Sequence, residues 1–216
     1  MAPRLSDVVF VGGQMVGLLI TDPAAVRIRP TDDVDVVARV TTRTAYHDIQ
    51  MRLMALGFSP DQRLNAPICR MRTGDDLVLD AMPLNENVLG FSNRWYRLTL
   101  DTATDMQLEP DLVIRAISAR AFLATKWEPF RDRGADDPFL RHDLEDIFTV
   151  IAGRQQVIGE VASSAADARR FIAACTRAFL ANRWANDLVA GKLPDARQFP
   201  GFADDVVARL RALVGV

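Results

Sequence analysis

Short apolar runs, each closed by glycine, proline or polar residues, characterise the first half of the chain. Residues 8–11 are β-branched or aromatic and are followed by Gly12 and Gly13, a pattern typical of a buried strand that enters a turn. Residues 33–37 alternate between acidic and apolar side chains, which predicts a half-buried strand. The other elements predicted in this half are helices over 14–20 and 42–56 and strands over 68–72, 77–82 and 113–117.

The second half of the chain has a helical pattern throughout. Apolar residues three and four positions apart predict helices over 118–133, 138–152, 167–190 and 202–214. Pro138 suits the first turn of the second of these helices, where a backbone N–H has no partner in any case. The change of pattern predicts an α+β fold, with a small mixed sheet flanked by helices over 1–117 and a helical domain or subdomain over 118–216.

Composition excludes several classes of protein. The chain has 216 residues, of which 49% are hydrophobic and 25% charged, and its net charge is −2. These values are ordinary for a globular protein and provide no general attraction to nucleic acid or membrane. The apolar stretch 8–20 is shorter than the ~20 residues that span a bilayer, and it lacks the pattern of a secretory signal. Cys69 and Cys175 are isolated, which argues against zinc and disulfide frameworks. We expect a cytoplasmic protein with no membrane contact.

Asp33 and Asp35 are the first candidates for chemistry. They are two positions apart on a predicted strand, so both side chains lie on the same face. Like charges on one face repel each other, and a cation between them relieves that repulsion. Mg²⁺ prefers oxygen ligands and keeps positions for water and substrate phosphates. Taken alone, an Asp-x-Asp pattern is more often an exposed strand face, with Val34 and Val36 packed inward.

Two further features favour a metal site over an exposed strand face. Asp80 is a lone acid within the apolar strand 77–82, and a buried carboxylate must be ion-paired, bound to a metal or placed at an exposed strand end. A salt bridge to an arginine is the alternative to metal binding. Gly12 and Gly13 lie between a strand and a helix, where N–H groups can cradle a phosphate. A tight turn is the alternative there.

The order of these features resembles the DNA polymerase β-like nucleotidyltransferase superfamily, and within it most closely the AbiEii-type toxins of bacterial abortive-infection and toxin–antitoxin systems. The glycine element of that family is matched by Gly12, Gly13 and Gln14, although many members have serine or threonine where this chain has Gln14. Its Arg-x-Thr-x-Asp-x-Asp element is matched by Arg29, Thr31, Asp33 and Asp35, and its third acid by Asp80. A lysine-containing helix followed by an acidic helix is matched by Lys126, Asp143 and Asp146.

The resemblance implies a role for each matched residue. Asp33 and Asp35 would bind two Mg²⁺ ions, and Asp80 would complete the second metal site and help to deprotonate the acceptor. Lys126 would contact the triphosphate of an NTP, with Asp143 and Asp146 nearby. The remaining nucleotide-binding positions implied by the resemblance are Gly12, Gly13, Gln14, Arg29 and Thr31.

The resemblance also implies a reaction, in which an acceptor hydroxyl attacks the α-phosphorus of an NTP and pyrophosphate leaves. It favours tRNA or a protein as the acceptor and a cognate antitoxin as a partner, while an antibiotic-type small molecule stays an alternative acceptor. A catalytically silent nucleotide-binding or interaction module is the alternative function. Arginines of the helical half either form an RNA-binding face or are a solvated helix surface; they are Arg169, Arg170, Arg177 and Arg183.

Overall fold

The computed structural model of the chain describes residues 8–22, 27–133, 140–193 and 199–216. In these ranges a mixed β-sheet built from the first half of the chain is accompanied by helices, and the second half is helical. The α+β class predicted from the change of sequence pattern is therefore confirmed. The predicted start of a helix at Pro138 lies outside the described residues.

One sheet of seven strands is formed by the described residues, in the order β3-β4-β5-β2-β1-β7-β6. The strands are β1 (Val8–Val11), β2 (Asp33–Ala38), β3 (Ser59–Pro60), β4 (Arg70–Arg72), β5 (Val78–Pro83), β6 (Thr104–Glu109) and β7 (Leu112–Ala116). The β2–β5 and β1–β7 pairs are parallel, and the other pairs are antiparallel. Strand β2, which carries the acid pair, therefore lies near the centre of the sheet.

The helices follow the apolar periodicity of the sequence in most places. They are α1 (Val16–Leu19), α2 (Arg43–Ala55), α3 (Glu86–Leu89), α4 (Tyr96–Thr102), α5 (Ala119–Arg133), α6 (Leu140–Gly153), α7 (Val157–Ala162), α8 (Ala166–Leu180), α9 (Ala185–Lys192) and α10 (Phe202–Val214). A short 3-10 turn, Gly13–Met15, leads into α1. Thr42 caps α2, because its hydroxyl accepts a hydrogen bond from the Ala45 N–H.

The described residues divide into two compact units. The first comprises the described part of Met1–Met15 together with Pro30–Ser118, and the second comprises Val16–Arg29 and Ala119–Val216 where these are described. The division of the sequence into domains after residue 117 stays a prediction. The segment Val16–Arg29, which precedes the acid pair in the chain, belongs to the second unit.

The core of the first unit includes a cluster beside β2. Ala38, Val40, Tyr46 and Val88 are buried together, and Ile49 packs against them. Tyr46 also donates a hydrogen bond from its hydroxyl to the Ala81 carbonyl on β5, at 2.9 Å. Burial of these apolar side chains on one side of β2 and β5 holds the two strands in a fixed register, which in turn positions their acidic residues.

The core of the second unit combines many aliphatic side chains with a group of packed aromatic rings. Phe179 packs against Trp127 and Phe148, with ring centroids 6.0 and 5.2 Å apart. The segment around α1 is tied to this unit by backbone contacts: the N–H groups of Thr21 and Asp22 donate to the Gly153 carbonyl at 2.9 and 3.0 Å. The guanidinium of Arg154 donates to the Leu19 carbonyl at 2.7 Å.

Some local predictions were wrong in detail. The helix predicted over 167–190 is divided into α8 and α9, because Asn182 accepts a hydrogen bond from the Trp184 N–H and forms a turn. Strand β6 is an exposed edge strand and was not predicted, although Met106 and Leu108 alternate with polar residues in its sequence. The apolar face predicted for α2 is only partly covered, and Leu56 at its end is 53% exposed. Across the described ranges, no helix combines the length and apolar character that crossing a bilayer demands.

Candidate functional site

A row of charged residues crosses three neighbouring strands of the first unit. Asp35 of β2 is in parallel register with Asp80 of β5, and Asp80 is in antiparallel register with Arg70 of β4. Residues in register on adjoining strands project from the same face of a sheet. Asp33, two positions before Asp35, projects from that face as well. The sheet therefore brings together the three acids that the sequence singled out and adds an arginine.

Arg70 contacts two of the three carboxylates directly. Its Nε donates to Asp80 Oδ1 at 2.8 Å and its Nη2 donates to Asp80 Oδ2 at 2.7 Å, which is a bidentate pair. The same Nη2 donates to Asp33 Oδ2 at 3.1 Å. The exposed fractions of the side chains are 10% for Asp80, 22% for Arg70 and 39% for Asp33. Asp80 is thus the most enclosed of these three side chains, and both of its oxygens accept from Arg70.

Sequence reasoning left open whether Asp80 is ion-paired or metal-bound, and it did not single out Arg70. The predicted hairpin does place the strands of these two residues side by side. The turn at 73–77 joins two strands whose register pairs Arg72 with Val78, Met71 with Leu79 and Arg70 with Asp80. The predicted strand ends at 72 and 77 would instead pair Cys69 with Asp80, so the register that places Arg70 opposite the lone acid did not follow from the sequence.

The charges of this row affect the titration of nearby groups. Hydrogen bonds to Asp80, helped by the charges of Asp80 and Asp33, hold the pKa of Arg70 above its ordinary value. Burial raises the pKa of the Cys69 thiol to about 12, and the charges of Asp80 and Asp35 add to that effect. Burial also raises the pKa of Tyr96, with the charge of Asp35 as the next cause. The arginine therefore stays charged, and the thiol and phenol stay neutral, near neutral pH.

Gly12 brings the backbone against the Asp35 side chain. Its φ is +73°, in the left-handed region that favours glycine. A Cβ at this position would lie 1.9 Å from Asp35 Oδ2, so only glycine leaves room for the carboxylate. Gly13 is buried at the start of the 3-10 turn. The glycine pair is therefore more than a turn, since one glycine directly contacts a candidate catalytic acid.

Gln14 and Thr31 lie in the same unit and are linked to each other. The side-chain amide of Gln14 donates to the Thr31 carbonyl at 2.8 Å, which connects the glycine turn to the segment that leads into β2. Thr31 Oγ1 is buried and has no hydrogen-bond partner within the described part of the chain. A buried hydroxyl of this kind is costly unless it acquires a partner.

The other candidate residues form an ion cluster within the second unit. Lys126 Nζ lies 2.8 Å from both Asp143 Oδ1 and Asp146 Oδ2. Arg29 Nη2 lies 3.6 Å from Asp146 Oδ1, and the Asp146 side chain is only 4% exposed. Burial alone would lower the pKa of Lys126, but the two carboxylates outweigh burial and raise that pKa. Contact between Lys126 and a triphosphate stays a prediction, and it would compete with these two carboxylates.

Two of the arginines of the helical half are engaged in backbone contacts. Arg169 Nη1 donates to the Ala162 carbonyl at 3.2 Å, and Arg177 Nη2 donates to the Val214 carbonyl at 3.4 Å. The guanidinium of Arg183 lies over the Trp184 ring, 4.7 Å from its centroid. These contacts tie the first two side chains to helix ends, and an RNA-binding face stays a prediction.

No protein-family model matches this chain. No curated protein matches it significantly either. Among solved structures, the chain is similar to the crystal structure of an antigenic nucleotidyltransferase-like protein from Paracoccidioides brasiliensis, with a TM-score of 0.47 and 18% sequence identity over 95% of this chain and 84% of that chain. At that identity the likeness concerns the course of the backbone and says nothing of a substrate.

The acid row carries oxygen ligands of the kind that Mg²⁺ prefers, and the number of ions that it binds stays a prediction. Asp33 and Asp35 offer carboxylate oxygens from one strand face beside a close backbone, and such oxygens suit Mg²⁺. In this arrangement both oxygens of Asp80 accept hydrogen bonds from Arg70, and metal binding by Asp80 stays a prediction. Within the described ranges, no three histidine, cysteine, aspartate or glutamate side chains are grouped so that they could hold a metal ion.

Proposed function

We propose that this protein is a metal-dependent nucleotidyltransferase that moves a nucleoside monophosphate from an NTP onto an acceptor hydroxyl. The observation that supports the proposal is the presence of Asp33, Asp35 and Asp80 on one face of two adjoining parallel strands, with Gly12 against the Asp35 carboxylate. Carboxylates that repel one another are retained at such a position more readily when a cation and a phosphate bind there.

The chain's own residues have distinct roles in this reaction. Asp33 and Asp35 would hold the Mg²⁺, which when bound neutralises phosphate charge and polarises the attacking hydroxyl. The absence of a Cβ at Gly12 leaves the space that the Asp35 carboxylate occupies, so the backbone of the glycine turn lies directly beside the acid pair. Arg70 keeps the Asp80 carboxylate fixed in orientation. Positioning and charge neutralisation account for most of the catalysis in reactions at phosphorus.

The acceptor and the role in a toxin–antitoxin system are proposed from the matched motifs alone. The Arg29-to-Asp35 element resembles that of AbiEii-type toxins, which supports a hydroxyl of tRNA or of a protein as the acceptor and an antitoxin as partner. The test is to incubate the protein with α-labelled NTPs and Mg²⁺ in three separate reactions, which contain total tRNA, protein extract or an aminoglycoside. The molecule that becomes labelled identifies the acceptor.

Asp35→Asn is the variant that tests the transferase proposal. Label transfer should fall by at least about a hundredfold, because the amide removes a negative charge at the proposed metal site. Asp105→Asn is a matched control, since Asp105 is an exposed residue of the edge strand β6, and it should transfer label as the wild type does. Equal activity of the two variants would contradict the role of Asp35.

Nucleotide binding can be tested without knowing the acceptor. Mg²⁺ with a non-hydrolysable NTP at ten times Kd should stabilise the wild type by about 1.4 kcal/mol, which raises Tm by about 3–6 °C in a chain of this size. EDTA should abolish that shift, and Asp35→Asn should show little of it. An equal shift in EDTA would exclude metal dependence. A metal-dependent shift without label transfer to any acceptor would favour the silent nucleotide-binding module.

A further inference from the structure

Arg70 lies between two carboxylates of the acid row, Asp33 and Asp80. It supplies one positive charge to a face that carries Asp33, Asp35 and Asp80, and it does so through three hydrogen bonds of 2.7–3.1 Å. A guanidinium that bridges two carboxylates performs the electrostatic task of a bridging divalent ion. The chain therefore contains within its own sheet a cation that compensates the acid row.

The sheet register makes this arrangement a property of the fold. Arg70 and Asp80 are directly opposite each other on β4 and β5, and Asp80 is directly opposite Asp35 on β2. A change of register by one residue would turn every side chain of β4 to the other face. Met71, between the two arginines of β4, is 1% exposed and fixes the strand against such a shift.

We propose that Arg70 replaces one of two divalent cations, so that this protein binds a single Mg²⁺, at Asp33 and Asp35. The inference rests on the proposed function, because it concerns the same acid row. In this arrangement Asp80 is a partner of Arg70 and is not a metal ligand. Arg70 is a positioning residue: it holds Asp80 in place and contributes a permanent positive charge where a reaction at phosphorus develops negative charge.

The number of bound ions tests this inference directly. Mn²⁺ can stand in for Mg²⁺, and free Mn²⁺ can be counted by electron paramagnetic resonance during a titration of the whole protein without nucleotide. The wild type should bind one ion per chain. Arg70→Gln removes the guanidinium and leaves three carboxylates together, so it should bind a second ion or bind the first at least tenfold more tightly.

Two further variants serve as controls. Arg72→Gln makes the same change on the same strand, but Arg72 pairs with Asp76 outside the acid row, so its Mn²⁺ binding should equal that of the wild type. The double variant Arg70→Gln/Asp80→Asn lacks both members of the pair and should return to one ion with wild-type affinity. Its melting temperature in EDTA should exceed that of Arg70→Gln, which retains the uncompensated carboxylate.

The outcomes separate this inference from the proposed function. The inference would be wrong if the wild type bound two ions, or if Arg70→Gln bound Mn²⁺ as the wild type does. Either result would remain consistent with a metal-dependent transferase. No Mn²⁺ bound to the wild type in the presence or absence of nucleotide would overturn the proposed function itself. The wild-type count requires no variant, so the inference can fail even if Arg70→Gln does not fold.

Discussion

Asp80 and Arg70 face each other across two antiparallel strands, and each oxygen of the carboxylate accepts one hydrogen bond from the guanidinium, at 2.8 and 2.7 Å. A pair of this geometry is strong because it is charge-assisted, bidentate and largely enclosed. It also answers the question that the sequence raised about a lone acid in an apolar strand, since the acid is paired. The pair is expected to be important for stability as well as for the site.

Asp80→Asn should destabilise the protein by about 2–3 kcal/mol, because the amide leaves the partly buried Arg70 without its main acceptor. Asp33→Asn should cost less than about 1 kcal/mol, because Asp33 is more exposed and has a single contact of 3.1 Å with Arg70. Urea denaturation in EDTA measures both values. Equal losses for the two variants would contradict the view that Asp80 is the principal partner.

Lys126→Met should reduce the free energy of unfolding by about 3 kcal/mol, because it leaves the carboxylates of Asp143 and Asp146 with less positive charge nearby. Lys126→Arg should retain most of the stability. The double variant Lys126→Met/Asp146→Asn should be more stable than Lys126→Met alone, since it removes the more deeply buried of the two carboxylates. If Lys126→Met is as stable as the wild type, the ion cluster contributes little to the fold.

Tyrosine ionisation provides a test at high pH. The chain has 2 tyrosines, Tyr46 and Tyr96 are both buried, and burial raises the pKa of each above its ordinary value. In the unfolded chain they release their protons near pH 10, so the stability they contribute is fully present below about pH 10 and falls as the pH rises further. Absorbance at 295 nm should show no tyrosinate in the folded protein at pH 10.5 and a large signal in guanidinium chloride. A normal titration of either tyrosine in the folded protein would show that it is accessible.

Gly12→Ala should be destabilising by about 2–3 kcal/mol, because alanine is strained at positive φ and its Cβ would meet Asp35 Oδ2. Asp35→Ala in the same chain should recover the steric part of that loss but not the backbone part. Chemical denaturation of the wild type, the two single variants and the double variant gives four free energies of unfolding. Together they form a double-mutant cycle that measures the coupling free energy between positions 12 and 35. Additive effects would mean that the carboxylate can move away from the new methyl group.

Local patterns in the sequence predicted most of the fold. Strands β1, β2 and β5 and helices α2, α5 and α10 follow from their apolar periodicity and from caps such as Thr42. Strand β6 was missed because its alternation is limited to Met106 and Leu108, and as an exposed edge strand it buries no side chain completely. The break between α8 and α9 was missed because the apolar spacing continues through a turn made by one asparagine side chain.

The candidate site was predictable only in part, for a physical reason. The sequence showed a glycine pair between a strand and a helix, followed by acids on two later strands. The spacing of Asp33 and Asp35 on one strand indicated that they share a face of the sheet. The partner of Asp80 depends on strand register, which combines a turn geometry with packing on both faces of the sheet. Lys126, Asp143 and Asp146 were placed together by resemblance, but their ion pairs to one another depend on side-chain positions that spacing alone does not determine.

Because the backbone of Gly12 lies against the side chain of Asp35, the residue types tolerated at these two positions depend on each other, although the positions are well separated in the sequence. Aspartate at position 35 requires glycine at position 12, while a chain that has lost the aspartate no longer needs the glycine. In a set of related sequences the two positions should therefore vary together. A relative with alanine or a larger residue at the first position should carry a residue smaller than aspartate at the second. Such a substitution would mark, from the sequence alone, a lineage that has abandoned the chemistry of this site.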